Sequence, residues 1–389
     1  MMRKKSATKH HSLKGMLYIC RHKPSDMESE IKKIVLTGGP CAGKTTALVK
    51  IMDHFTSRGF KVFTIPEVPT MFLQAGMDYL TPNEAFFYEG EKATLEMQLA
   101  LEDKFTRIAR ACGERAFIVC DRGAMDISTY LTPQQWADIT QAVGVDPAEL
   151  REHRYDAVLH LVSAADGAEK YYTTATNLQR TEGIEKARRL DKKIIGAWNG
   201  HPHLRVINNH ENFDNKLNRV IKEISNVLGL PQPIEEERKY IVELNGDIPD
   251  SVDSDIVQTY LVADPGVEAR LRHRSWNGKD VYVLTTKKPT AQNEQIETER
   301  QITKNVYESL LQQADPYRHT IRKRRSSFIW KGQYFELDHF TSPLQGLTIL
   351  ETKGVGANEE IRFPPFLNIV REITGNEAFY NYNIALKRK

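Results

Sequence analysis

Four cysteines in 389 residues (Cys20, Cys41, Cys112, Cys120) have neither metal-site spacing nor the density of a disulfide framework. Long apolar runs are also missing. The longest, such as Ala116–Cys120 and Ala157–Val162, have the length of buried strands and fall far short of the roughly 20 residues of a membrane-spanning helix. The first 23 residues contain no apolar block, so no secretory leader is expected. Net charge is only +3, which gives no global pull toward nucleic acid, and none is expected as a partner. No internal repeat is visible. The expectation is a cytoplasmic globular protein, long enough for two domains with separate cores.

The charge is unevenly spread. Met1 to Lys23 holds seven Lys or Arg and no acid. Residues 1–30 therefore read as a disordered basic arm, serving either as a solubilising tail or as an attraction to a peripheral anionic membrane. The latter is worth about 1 kcal/mol per basic residue near the surface. The next boundary is Gly229-Leu230-Pro231-Gln232-Pro233, a linker in which Gly229 closes a helix and two prolines stop it. Before it, from 31 to 228, short apolar strands alternate with amphipathic helices. After it, from 234 to 389, period-two strands dominate. The fold class that follows is an α/β domain with a doubly wound parallel sheet, then an α+β domain built on antiparallel strands. Helix starts are expected at Thr81-Pro82-Asn83-Glu84, with Thr81 and Glu84 forming a capping box, and at Thr132-Pro133-Gln134-Gln135.

The run Gly38-Gly39-Pro40-Cys41-Ala42-Gly43-Lys44-Thr45-Thr46 is a P-loop between a strand and a helix. Its glycines let backbone N–H groups cradle phosphate at a helix N-terminus. Lys44 is placed to reach the β- and γ-phosphates of GTP or ATP, and Thr45 to ligate Mg²⁺. Asp121 ends the strand Ala116–Cys120 as a Walker-B-type acid and is the second metal candidate. Glu67 ends another strand, at the edge facing the ligand crevice, where it can serve as general base or as a capping glutamate. Residues 173–200 carry Arg180, Lys186, Arg188, Arg189, Lys192 and Lys193 between two strands and read as a lid. On a helix, Arg180 and Arg188 lie within about 80° of each other while Arg189 points away, so the first two are the candidate clamps. The base-recognition motif of small GTPases is missing, and Asn208-Asn209-His210-Glu211 does not replace it.

In the second part, alternation places Glu237 and Lys239 on one face, and it does the same for Arg270 and Arg272, Arg322 and Arg324, and Glu336 and Asp338. The opposite face is often apolar, as in Phe335 and Leu337. Charges of both signs at strand centres suit a barrel with a polar lumen, in which Arg270, Arg272, Lys287, Arg322 and Arg324 converge on a phosphorylated ligand.

Residues 31–228 resemble the AAA-like P-loop proteins related to nicotinamide-riboside and nucleoside kinases. The matching pieces are the P-loop, the Pro66-Glu67 pair, Cys120-Asp121-Arg122-Gly123 and the stretch Gln179–Asn209. Residues 234–389 resemble the CYTH or triphosphate-tunnel superfamily through Glu235/Glu237/Lys239, Gln258–Leu261, Arg270/Arg272, Lys287, Arg322–Arg325 and Phe335–Asp338. Its members bind or hydrolyse triphosphates, thiamine triphosphate or polyphosphate, using acids to hold metal. Here the late Glu-x-Glu reads Glu351-Thr352-Lys353, a departure that weakens metal-dependent hydrolysis and leaves anion binding. The order of the two parts resembles the animal family typified by the insect TRPL translocation defect protein. That resemblance implies GTP binding, phosphoinositide binding and a role in trafficking a membrane channel. The alternatives it leaves open are a small-metabolite or nucleoside kinase and a tunnel triphosphatase.

Overall fold

A computed structural model describes residues 31–172, 183–233, 237–276, 278–290, 294–352 and 360–387. The basic arm, Arg180, Glu235 and Lys353 lie outside these. The α/β part has five parallel strands: β1 (Lys32–Thr37), β2 (Phe60–Ile65), β3 (Arg115–Asp121), β4 (Ala157–Leu161) and β5 (Leu204–Ile207), in the order β2-β3-β1-β4-β5. β1 is central because its residues from Ile34 on are buried on both faces, as a strand covered by two helix layers requires. One layer is α1 (Lys44–Thr56), whose Ala47, Ile51 and Phe55 pack with Leu217, Val220 and Ile224 from a later helix near the end of this part. The other layer includes α2 (Val68–Gln74) and α3 (Glu84–Ala111). Short α4 (Ala124–Ile127), α5 (Pro133–Val143) and α6 (Pro147–Glu152) precede β4, and α7 (Ile184–Ala197) precedes β5.

α5 starts as its sequence predicts: Thr132 accepts from the Gln135 amide and Gln135 reaches back to the Thr132 amide. α3 does not. Its N-cap is Asn83, whose Oδ1 accepts from Phe86 N at 3.2 Å, so Thr81 and Pro82 lie before the helix. Asparagine is at least as good an N-cap as threonine, and Glu84 then stands at the first helical position rather than the third. α8 (Phe213–Val227) closes this part, and Gly229, at φ +65°, donates to Asn226 O.

The rest of the chain forms a ten-stranded, mainly antiparallel sheet. Its strands are β6 (Gln232–Pro233), β7 (Arg238–Leu244), β8 (Val252–Tyr260), β9 (Glu268–Trp276), β10 (Lys279–Pro289), β11 (Glu294–Ile302), β12 (Ile321–Trp330), β13 (Gln333–Ser342), β14 (Thr348–Thr352) and β15 (Leu367–Glu372). The order is β15-β7-β14-β13-β12-β8-β9-β10-β11-β6, and side chains from strands far apart in it line one cavity of about 460 Å³. The sheet therefore curls round a lumen. Its apolar residues face outward: Tyr240, Phe328, Phe335 and Leu337 are covered by Ile361, Phe363 and Phe366, while Leu271 lies under Tyr307 of α9 (Lys304–Leu311). Such an arrangement is the inverse of an ordinary sandwich and leaves the charged face inside.

The two parts are packed together. Arg274 donates to Gly200 O at 2.9 Å, Asn199 Nδ2 donates to Asp250 O and Ser327 O, and the Arg151 guanidinium lies over the Trp276 ring. Tyr334 and Ile329 extend the core of the α/β part.

Candidate nucleotide and phosphate sites

After β1 the chain turns through Gly38 into the phosphate loop. Three consecutive carbonyls of the loop are tied from outside: Pro40 O accepts from Ser163 Oγ, Cys41 O from Ala164 N at 3.3 Å, and Ala42 O from Lys216 Nζ at 3.0 Å. With the carbonyls committed outward, the loop backbone is turned for N–H groups to face an anion, and the N-terminus of α1 adds its dipole. Cys41 holds the left-handed conformation at φ +57°, and Gly43 does so at +91°. A side chain at Gly43 would also meet the Phe213 ring at 2.6 Å.

Two residues that hold this loop carry no sequence motif. Asp191 on α7 accepts from Gly39 N at 2.6 Å, and His160 Nε2 is 3.3 Å from the same oxygen. A Cβ at Gly39 would fall 2.6 Å from that carboxylate, which explains the glycine. Lys216 on α8 is buried, and besides Ala42 O it donates to Val162 O and Asn209 Oδ1, both at 2.7 Å. Burial is the main influence on its ammonium and lowers its pKa to about 7, against the pull of Asp191. Periodicity marks both positions only as helix interior, so their roles could not be read from it.

Lys44 lies among Arg122, Asp121 and Glu67; burial first, then Arg122, lowers its pKa. Burial pushes the Asp121 carboxyl up, with Lys44 opposing. The buried Asp121 Oδ1 has no hydrogen-bond partner in the protein. An orphaned carboxylate oxygen beside the loop lysine fits a metal ion or its water, and Thr45 stands exposed at the first turn of α1. Glu67 is the N-cap of α2 and forms an ion pair with Arg122, whose backbone is left-handed at φ +73°. Thr70 Oγ1 donates to its other oxygen at 3.0 Å. Burial alone would raise the Glu67 pKa, but Arg122 and Lys44 prevail and hold it near about 2. Arg188 donates to Ala165 O at 2.6 Å and pairs with Glu169 and Glu185, while Arg189 is exposed.

In the lumen the structure brings together Glu237, Lys239, Arg270, Arg272 and Lys287. Arg322 and Arg324 are not among them: Arg322 is exposed, and Arg324 is 62% exposed and paired with Asp253 on the outside. Lys323 and Arg325 point inward instead. Residues 322–325 are four consecutive cations, so alternation there has no phase. Pairing with β13 supplies it, aligning Arg325 with Asp338, and a register shift falls between Arg322 and Lys323.

The inward cations do not form a bare positive field. Lys239 donates to Glu351 at 2.9 Å and lies 3.1 Å from Glu237. Lys323 and Arg325 share Asp338, and Arg325 also pairs with Glu336. Arg270 and Arg272 lie 3.6–3.7 Å from Glu268, Glu297 and Glu299. Burial tends to discharge Lys239, yet Glu351 and Glu237 outweigh it and raise its pKa. Buried pairs of this kind fix side-chain geometry at a desolvation cost that an entering anion or metal can offset.

Among known proteins, a family profile described as an AAA domain matches residues 33–216. No curated protein matches the chain. Among solved structures, the inorganic triphosphatase NE1496 is 27% identical, with a TM-score of 0.31, covering 40% of this chain and 99% of that one. The PH1819 protein from Pyrococcus horikoshii OT3 is 18% identical, with a TM-score of 0.25, covering 32% of this chain and 80% of that one. The AAA-domain match, together with the loop geometry, supports nucleotide binding. Among the described residues no helix is long and apolar enough to cross a membrane.

Proposed function

We propose that the protein is a nucleotide-binding regulator that holds an NTP and Mg²⁺ at the P-loop and a phosphorylated ligand in the lumen. Lys44, Thr45 and Asp121 are the residues that would hold the nucleotide and its metal, which when bound neutralises phosphate charge. One observation carries the regulatory reading: beside a well-formed loop, two of the candidate catalytic groups are already engaged. Glu67 is held by Arg122, and Arg188 by Glu169 and Glu185. Slow turnover follows, because transfer requires breaking these pairs first. The finer assignments rest on the resemblance noted in the sequence: guanine as the base, a phosphoinositide headgroup as the lumen ligand, a peripheral anionic membrane as the location, and a membrane channel as the trafficked client.

A second reading, a small-metabolite kinase, draws on the ionised state of Glu67, which suits a general base once an acceptor displaces Arg122. The deciding experiment identifies the nucleotide that co-purifies with the protein and the products formed with GTP or ATP, with and without nucleoside acceptors. Retained nucleotide and little product support the regulator. Rapid transfer to an acceptor would establish the kinase and remove the regulatory reading, and rapid release of phosphate from tripolyphosphate would establish a tunnel triphosphatase.

A further inference from the structure

A second hollow, a groove of about 1230 Å³, runs between the α/β part and the sheet. Ile31, Lys32 and Lys33 line it where β1 begins. The second half of α3 forms one wall, and β10 and β11 form the other through residues such as Val283 and Arg300. Each of the six acids in its lining has a basic partner within 3.7 Å. Asp103 pairs with Arg154 and Asp156 with Lys32, while Asp146 pairs with Lys279 and Glu149 with His153; Glu152 pairs with Arg151 and Arg274, and Glu299 with Arg272. Lys279, Arg151, Arg274 and Arg272 reach these acids from outside the lining. Lys104, Arg107 and Arg110 of α3 are exposed in the groove and have no acidic partner among the described residues. The groove therefore has its negative charge compensated and three cations left over, on about 9 Å of one helix.

The chain carries a segment of matching charge next to this place. Asp26, Glu28 and Glu30 are the first acids after the basic run Met1–Lys23, and they alternate with Met27 and Ser29 immediately before Ile31. They lie outside the described residues. In an extended chain every second side chain shares a face, at intervals of about 7 Å, so three acids would cover about 14 Å. Long Lys and Arg side chains make up the difference from the 9 Å of helix. Starting from Ile31 on the groove wall, Asp26 can reach at most about 18 Å. Single exposed ion pairs are weak and are screened by salt. Covalent attachment at Ile31 makes this encounter intramolecular, so weak pairs act at a high effective concentration.

We propose that the groove between the two parts is the docking site of the chain's own acidic stretch, with Asp26, Glu28 and Glu30 set against Lys104, Arg107 and Arg110. Because β10 and β11 form the facing wall, the docked stretch touches both parts of the chain.

Carbodiimide cross-linking of the full chain tests this, since it joins a carboxylate to an amine only where the two already meet. Wild type is expected to give a link within one chain from Lys104 to Asp26, Glu28 or Glu30, identified by peptide mass spectrometry. Raising salt from about 0.05 M to about 0.5 M shortens the screening length about threefold and should cut the yield about fivefold or more. Arg107→Glu combined with Arg110→Glu should have the same effect at low salt. Adding Glu28→Arg and Glu30→Arg to that chain should restore the link from Lys104 to Asp26. The salt series on wild type needs no substitution, so the test stays decisive if a variant fails to fold. A wild type in which Lys104 links only to other acids overturns the inference, and so does a yield that neither salt nor charge reversal lowers. A link between two chains, seen in a mixture of ¹⁵N-labelled and unlabelled protein, also overturns it and makes a second copy the occupant.

Discussion

Asp191 offers the sharpest test of how the phosphate loop is held. Its carboxylate is buried and accepts the Gly39 amide at 2.6 Å. Asp191→Ala removes a charged hydrogen bond worth about 1.5–3 kcal/mol and leaves a buried N–H unsatisfied, a further penalty of about 1–3 kcal/mol. The expected total, about 2.5–6 kcal/mol, is a large part of the roughly 5–15 kcal/mol by which domains are stable. Asp191→Asn keeps an oxygen for Gly39 and should cost about 1–2 kcal/mol. Urea unfolding measures both, and calorimetry should show nucleotide affinity falling in the same order. The pH dependence has a defined sign. Burial raises the Asp191 pKa, but His160 and the Gly39 amide outweigh it, so the net shift is downward. Its contribution is therefore complete above the ordinary carboxylate range and is lost as pH falls through the depressed value. Wild type and Asp191→Asn should converge in acid. If Asp191→Ala unfolds within about 0.5 kcal/mol of wild type and binds nucleotide normally, the contact does not hold the loop.

Three other outcomes are expected. Lys44→Ala should weaken nucleotide binding by about ten- to a hundredfold in calorimetry without unfolding the chain, because the lysine takes no part in the apolar core. Glu67→Gln should leave nucleotide affinity near normal and free Arg122; equal loss of binding and turnover would make Glu67 a structural residue. Lys216, with a pKa lowered to about 7, should make wild type gain stability as pH rises from about 7 toward 10, where the unfolded chain binds the extra proton. Urea midpoints of Lys216→Met, lacking that titration, should show a smaller rise.

The sequence made legible what depends on local pattern. The strand–loop–helix of the P-loop, the Thr132 cap and the alternating charged strands all follow from periods of 2 and 3.6 and from turn chemistry. Partners fixed only by tertiary approach were not legible. The capping box expected at Thr81 and Glu84 gives way to Asn83, two residues later, as the cap of α3. The cations 322–325 carried no phase until β13 aligned Asp338 with Arg325. Sequence marked the lumen as a place of convergent cations, yet the matching acids, Glu297 and Glu299 on β11, come from a strand that reaches them only through the hairpin with β10. Asp191 and Lys216 lie on helices beyond β4, far along the chain from the loop they hold.

That placement has a mechanical consequence. α7 carries Asp191 to Gly39, and just past the end of the same helix Asn199 donates to Asp250 in the β7–β8 loop and to Ser327 on β12. Between these points Trp198 donates to Asp126, which also accepts from Thr37 at the end of β1. The indole lies so close to Gly123 that a Cβ there would meet it at 2.8 Å. A tightly packed helix moves as a body or not at all, because close-packed interiors tolerate few intermediate positions. Asn199 follows α7 directly, and its contact with Ser327 falls on β12, the strand that carries Lys323 and Arg325 into the lumen. One short stretch of chain, residues 191–199, thus reaches the phosphate loop at one end and β12 at the other through hydrogen bonds.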